Sequence, residues 1–417
     1  MAPFCKNDTK PVINGDLLLA QIKRLSEEGL DGSGGRTRLA ASKDEKKGRD
    51  LVAGWMKELG LDVRVDKIGN IFGILAGAEG GLENALMMGS HIDTVINAGP
   101  YDGCYGVLSG LAVLRAFKEA GMVPPRPLAV GAFTDEEGVR FQPDMLGSLV
   151  YVGGMSLEEG LASADGDGIT LGQALDEIGY AGCEEPGFLI PSEYLELHIE
   201  QGPRLDAEGF RIGAVEGVQG ISWWRVTIGG KANHAGTTPT SMRHDAGLAA
   251  ARVITSMREY AKNSATTLAT TGEIDFEPGL INVIPSKAVF TVDLRDPDGE
   301  KLLRAEKALA DCLERVSEEE GVSVASEHLA SFAPVVFHPE LIKKVEDAAA
   351  GRNIPSMRMV SGAGHDAQMM ARVCKTAMIF VPSIGGISHN PEEHTEKEDL
   401  LLGAELLLDV VLDLLKG

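Results

Sequence analysis

Leu86-Met87-Met88-Gly89, followed at once by Ser90-His91-Ile92-Asp93-Thr94-Val95, is a short apolar run that ends in a histidine and a carboxylate. Such a run reads as a buried strand. A second run, Leu128-Ala129-Val130-Gly131-Ala132-Phe133, leads into Thr134-Asp135-Glu136-Glu137-Gly138. Between them the spacing predicts a helix over 107–120, closed by Gly121. Strand, helix, strand in this order indicates a parallel α/β sheet. In open α/β sheets ligands bind at the carboxyl ends of the strands. His91 follows one strand directly, and Glu136 follows another by a few residues.

Outward from this core, Ile71-Phe72-Gly73-Ile74-Leu75 reads as a further strand. Residues 16–30 and 44–59 show helical spacing, with Leu51, Val52, Trp55, Met56 and Leu59 on one stripe. Residues 153–187, rich in Gly, Asp and Glu, show little periodicity and are expected to wander over the surface. Apolar alternation returns at Tyr194-Leu195-Glu196-Leu197-His198-Ile199-Glu200-Gln201-Gly202. From about 217 to 333 the pattern changes: a strand at Trp223-Trp224-Arg225-Val226-Thr227-Ile228, a helix at 241–260, a strand at Val289-Phe290-Thr291-Val292-Asp293-Leu294, a helix near 299–320, then Val322-Ser323-Val324. This β-α-β-β-α-β-like order suits a small inserted two-layer domain. Residues 339–415 regain α/β character and end in an apolar helix, Leu400 to Leu415. A length of 417 residues exceeds what one core usually supports, so two domains are expected.

A formal charge of −23 argues against a nucleic-acid partner, which needs clustered Lys and Arg. No apolar stretch approaches the roughly 18 residues of a membrane span. Met1-Ala2-Pro3-Phe4-Cys5-Lys6-Asn7-Asp8 lacks the apolar segment of a secretory signal. Cys5, Cys104, Cys183, Cys312 and Cys374 are scattered without a CxxC pair, which reads as reduced thiols in a cytosolic protein. Cys104 adjoins Asp102 but begins an apolar helix and is expected to pack there.

A histidine with carboxylates is the donor set of zinc, or of a harder cation such as manganese. Residues two apart on a strand end point the same way, so Asp93 is expected to hydrogen-bond the far nitrogen of His91. Asp102 sits in the turn Gly99-Pro100-Tyr101-Asp102-Gly103, where an Asp-Gly pair needs no metal to explain it. Its two oxygens nevertheless suit a bridge between two cations. Glu136 and Glu137 would repel if both were free, and one would keep its proton. A metal that takes Glu137 leaves Glu136 as a general base. Each motif alone has a plain reading as a solvated acidic turn or polar strand end. His198, again at a strand end, extends the pattern. His389, in Gly385-Gly386-Ile387-Ser388-His389-Asn390-Pro391, and His394 are rival ligands, whereas His328 and His338 have no motif around them.

Together these motifs resemble the M20 metallopeptidase family, and within it the amidase branch of N-carbamoyl-L-amino-acid hydrolases, β-ureidopropionases and allantoate amidohydrolases. SHIDTV, GPYDG, TDEEGVRF, ELHIEQGP, KANHAGTTP, INVIP with FTVDLR, SGAGHDAQ and GGISHNP carry the resemblance over nearly the whole chain. It implies a mixed-sheet catalytic domain with helices on both faces, residues 1–216 and 334–417, and an inserted two-layer lid and dimerisation domain, residues 217–333. It also implies two divalent ions (Zn, Mn, Co or Ni), one on His91, Asp102 and His198 and the other on Asp102, Glu137 and His389. His389 rather than His394 matches the family histidine, and Glu136 matches the base.

The resemblance extends to the substrate. Arg295 would hold a carboxylate by a bidentate fork, Asn282 would bind the same end, and His234 would reach the scissile carbonyl oxygen of the partner subunit's substrate. Gln201 and His365 resemble further substrate positions. The implied protein is a cytoplasmic homodimer that hydrolyses the ureido C–N bond of an N-carbamoyl-L-amino acid, with no nucleic-acid or membrane partner. Allantoate amidohydrolase and β-ureidopropionase are the near rivals. An M20 aminoacylase or dipeptidase, or a binding protein on the same fold, is the remoter one.

Overall fold

The computed structural model describes residues 10–416; the N-terminal octapeptide and Cys5 lie outside them. The chain divides into two compact units, one running to Gly217 and resuming at Val336, the other spanning Val218–Val335.

The first unit is built on a nine-stranded sheet. Its spatial order begins Asp62–Val65, Ile71–Leu75, Leu128–Phe133, Leu86–His91, Glu193–Ile199, Lys375–Val381, Ile212–Val218. The four strands from Leu128–Phe133 to Lys375–Val381 are mutually parallel, as the strand-helix-strand order requires. Their neighbours on both sides run antiparallel, so the sheet is mixed. Leu86–His91 and Leu128–Phe133 are buried at every position, which is why their sequences are continuous apolar runs without alternation.

Helix Cys104–Glu119 lies against these strands. It is apolar nearly all round, as a helix enclosed on all sides must be. It starts earlier than the apolar spacing suggested, because Gly103, at φ +62°, turns the chain straight from Asp102 into the helix.

Residues 153–187 do not wander over the surface. They form helices Leu157–Ala162 and Leu171–Ile178, each opened by a capping box, Ser156 with Glu159 and Thr170 with Gln173. Leu171, Ala174, Leu175 and Ile178 pack with Ile68, Phe141, Leu146 and Val150 into a satellite core. Helices this short fall below the window in which periodicity is legible.

The second unit is an antiparallel five-stranded sheet in the order Ile274–Glu277, Lys287–Asp296, Gly220–Gly229, Ser323–Phe332, with Leu268–Thr270 also on Lys287–Asp296. Burial alternates along Lys287–Asp296, and Ala288, Phe290, Val292 and Leu294 face the core. Helices Ala246–Asn263 and Gly299–Glu320 supply the other layer. Each begins at an aspartate, Asp245 or Asp298, whose side chain accepts two backbone N–H groups. No helix of the described residues is long and apolar enough to cross a membrane.

Candidate active site

The parallel strands deliver their ends to one place. His91 closes Leu86–His91, His198 is next to last in Glu193–Ile199, Glu136 and Glu137 follow Leu128–Phe133, and His389 lies in the loop after Lys375–Val381. Asp102 comes from the turn before helix Cys104–Glu119.

Asp102 stands at the centre and divides the histidines between its two oxygens. Oδ1 is 3.5 Å from His91 Nε2 and 3.2 Å from His198 Nε2. Oδ2 is 3.3 Å from His389 Nε2, which is itself 3.5 Å from Glu137 Oε2. Among the described residues four groups have donor atoms within 4.8 Å of one another: His91, Asp102 and His198; Asp102, Glu137 and His389; His91, Glu136 and Glu137; and Glu196, His198 and His365. Glu136 Oε2 is 3.4 Å from His91 Nε2 and lies outside the two groups that share Asp102, though it groups with His91 and Glu137.

Both buried rings present the nitrogen a metal needs. His91 Nδ1 is 3.1 Å from the Asp93 carbonyl oxygen, and His198 Nδ1 is 2.8 Å from that of Ile199. A carbonyl only accepts, so Nδ1 carries the hydrogen and Nε2 is the nitrogen with a lone pair; in His198 that nitrogen accepts the Gly103 N–H at 3.1 Å. This corrects the expectation for Asp93, whose carboxylate stays 3.7 Å from His91 Nδ1. The strand stops at His91, so the alternation rule no longer orients Asp93. Its carboxylate instead accepts from the backbone N–H of Glu136 (3.3 Å) and Glu137 (3.2 Å), and so holds the two glutamates in place.

The electrostatics fit divalent cations. Burial opposes charge on His91, yet the carboxylates of Glu136 and Asp102 raise its pKa well above the usual histidine value. His389 is raised to about 9 by its hydrogen bond to Asp102. Burial raises Glu136 well above the carboxylate range, and it raises Glu137, with the Asp102 charge, to about 8. Carboxylates and imidazoles that cling to protons in this way are groups short of positive charge. Glu137 Oε1 and Gln201 Oε1 are buried without a hydrogen-bond partner. Nitrogen and carboxylate donors with unsatisfied oxygens among them suit divalent metal ions.

Gly103 is obligatory in this frame. A Cβ there would sit 2.4 Å from the His91 ring, at a positive φ that side chains rarely adopt. Gly103→Ala is expected to cost at least ~1–3 kcal/mol from the backbone alone and to displace His91. Thermal melts should show the loss with and without a chelator; a melting temperature equal to that of the parent protein in both would contradict this account.

Other sites named from sequence fall as follows. Gln201 Nε2 donates to Asp102 Oδ2 at 2.7 Å, in a backbone conformation at φ +57°. His365 is 1% exposed, edge-on against His198, with Nε2 2.9 Å from Ser361 Oγ, and groups with Glu196 and His198 as possible metal donors. His394 turns to Glu396, 3.5 Å away, and joins none of the ligand sets found among the described residues. Cys104 is buried, and its Sγ accepts from Arg38 Nη2 at 2.9 Å. His328 stacks on Trp224. In the second unit His234 pairs with Val283 in a two-stranded ladder, and the Asn282 carbonyl accepts from Ala235 N–H, so His234 and Asn282 lie side by side on one exposed ribbon. Arg295 closes its fork on Asp293, Nε and Nη2 donating at 2.9–3.0 Å.

Sequence reasoning missed two buried arginines. Arg38 Nε donates to the Ile92 carbonyl at 2.7 Å, and Arg49 pairs with Glu45 at 2.8 Å and reaches Thr134 Oγ1 at 3.1 Å. Arginine is almost never fully buried, so neither carried a signal.

Residues 87–413 match the Peptidase family M20/M25/M40. The chain belongs to this family, in its amidase (hydantoinase/carbamoylase) branch. It is 39% identical to the N-carbamoyl-L-amino acid amidohydrolase of Geobacillus stearothermophilus, over 97% of this chain and 100% of that one. With the allantoate amidohydrolase of Bacillus subtilis it shares 34% identity over 94% of this chain and 95% of the relative. A crystal structure of an amidase of the hydantoinase/carbamoylase family from Burkholderia multivorans superposes with a TM-score of 0.94 at 39% identity, covering 97% of this chain and 98% of that one.

Proposed function

We propose that the protein is a binuclear metal amidohydrolase that cleaves the ureido C–N bond of N-carbamoyl-L-amino acids to the amino acid, carbon dioxide and ammonia. The observation that carries the reaction class is the carboxylate left over. Two of the donor groups share Asp102, and Glu136, 3.4 Å from His91 Nε2, lies outside both of them. The substrate class is supported by the 39% identity to a carbamoyl amino acid amidohydrolase over nearly the full chain.

His91, Asp102 and His198 would hold one divalent cation and Asp102, Glu137 and His389 another, and these would supply Lewis acidity and lower the pKa of water to about 7. Glu136 takes the proton from the attacking water and delivers it to the departing nitrogen. Gln201, already donating to Asp102 Oδ2, fixes the orientation of the bridging carboxylate. In the second unit Arg295 and Asn282 take the α-carboxylate and His234 donates to the carbonyl oxygen. Arg295 holds the carboxylate of Asp293 with the geometry such a substrate would require. Residues 218–335 serve as lid and dimerisation unit. Ile274 and Phe276 on the edge strand, with Leu280 and Ile281 beyond it, form an exposed apolar edge that a second copy would cover. The scattered thiols fit a cytoplasmic location.

Ammonia release from N-carbamoyl-L-methionine, N-carbamoyl-β-alanine and allantoate, with each metal restored to chelated enzyme, tests the reading. The highest kcat/KM is expected for N-carbamoyl-L-methionine. A preference for allantoate would favour the second reading, which the 34% identity to an allantoate amidohydrolase supports. No release from any of them would reject both. Arg295→Lys should raise KM for carboxylate substrates by roughly 10–100-fold, the worth of a charged hydrogen bond. Neutral amide substrates should be little affected, and equal effects on both would remove Arg295 from the anchor role.

A further inference from the structure

We infer that Glu393 is the positioning residue that locks the Asp102 turn to the His389 loop, and so sets the spacing of the second cation's ligands. The inference rests on the two-cation reading. Glu393 is 4% exposed and belongs to none of the groups of possible metal donors among the described residues. Its Oε1 accepts the backbone N–H of Tyr101 at 2.8 Å and of Asp102 at 3.3 Å. Its Oε2 accepts from Ser388 Oγ at 2.9 Å, and the same hydroxyl lies 3.2 Å from Asp102 Oδ2. One carboxylate thus grips the main chain of the bridging aspartate and the residue immediately before the ligand histidine.

These contacts join segments more than 290 positions apart along the chain. Without a fastening, the distance between Asp102 Oδ2 and His389 Nε2 would depend on two independent loops. The His389 loop needs one, since His389 itself sits at φ +53°, a conformation that costs free energy unless its surroundings impose it. The turn is shaped around the fastening. At Gly99 a Cβ would meet Glu393 Cβ at 2.2 Å and Oε1 at 2.4 Å, so only glycine lets the carboxylate in. Burying a carboxylate is costly unless hydrogen bonds compensate it, and three donors converge on this one. The other set, His91 and His198 on Asp102 Oδ1, is fixed by strand ends and owes less to Glu393.

Glu393→Ala, Glu393→Gln and Ser388→Ala should be compared with the parent protein by metal content per chain and by competition against a chromophoric chelator, using Mn²⁺ or Zn²⁺. The parent protein is expected to hold two ions. In Glu393→Ala one ion should weaken by about 10–100-fold, the usual cost of losing an outer partner of a ligand. The other ion should stay, and the melting temperature of the chelated protein should change little. Glu393→Gln keeps an acceptor for the Tyr101 and Asp102 amides and should recover most of the lost affinity. Wild-type binding of both ions by folded Glu393→Ala would overturn the assignment, as would equal weakening of both. If Glu393→Ala does not fold, Ser388→Ala decides: selective weakening of one ion supports the lock, and unchanged binding refutes it. A parent protein that binds fewer than two ions would instead defeat the two-cation reading, whatever the variants do.

Discussion

Glu136→Gln should lower kcat by ~10²–10⁴-fold, the usual worth of a positioned acid–base group, while the protein still binds two ions. Glutamine keeps the size of the side chain and its place 3.4 Å from His91 Nε2, but it cannot accept and return a proton. The ligand atoms are untouched, since Glu136 lies outside both sets that Asp102 organises. KM should change far less than kcat, because the lost interaction belongs to proton transfer. Steady-state ammonia release with metal analysis on the same preparation checks this. Activity within a few-fold of the parent enzyme would remove Glu136 from the role of base. Loss of an ion would make it a ligand instead.

Chelation should leave a protein whose stability falls as pH rises, in a way the metal-loaded protein does not. Glu137 is raised from 4.5 to about 8 by burial and the Asp102 charge, so between these values the folded chain keeps a proton that the unfolded chain has released. Unfolding then releases protons, and stability declines with pH until the folded group also ionises near 8. His389, raised from 6.5 to about 9 by its bond to Asp102, acts in the same sense. Its contribution is fully present below 6.5 and gone above about 9. On the proposed assignment both groups would be deprotonated ligands once ions are bound, and this dependence should disappear. At roughly 2 °C or more per kcal/mol for a large domain, the chelated protein should melt ~5–10 °C lower at pH 9 than at pH 6. The gain from restored Mn²⁺ or Zn²⁺ should be larger at the higher pH. Parallel melting curves with and without ions would contradict the assignment of Glu137 and His389 to a shared cation.

Much of this site could be read from sequence because strand ends are where the chemistry is. A buried parallel strand is a continuous apolar run, and the polar residue that stops it stands where ligands bind. His91, His198 and the Glu136-Glu137 pair are legible for that reason. Asp102 and His389 sit in turns, where Asp-Gly and Gly-rich patterns have ordinary explanations, and only the resemblance distinguished His389 from His394. Asp93 was misread because the strand ends at His91 and its alternation ends there too. Glu393 was not read at all: in Asn390-Pro391-Glu392-Glu393 it looks like a solvated acidic turn, and its partners lie in a segment far away along the chain. Arg38 and Arg49 were invisible because long charged side chains are buried only where tertiary structure supplies acceptors. The helices of 157–178 were lost to their shortness, though their capping boxes were written in the sequence.

On the proposed mechanism one aspartate divides the ligands between two cations, and hydrolysis needs both. Chelated protein should be titrated with Mn²⁺ or Zn²⁺ while ammonia release from N-carbamoyl-L-methionine is followed at saturating substrate. Activity is expected to be negligible without metal and to reach its plateau at two ions per chain. A plateau at one ion, or turnover that survives complete chelation, would contradict the account.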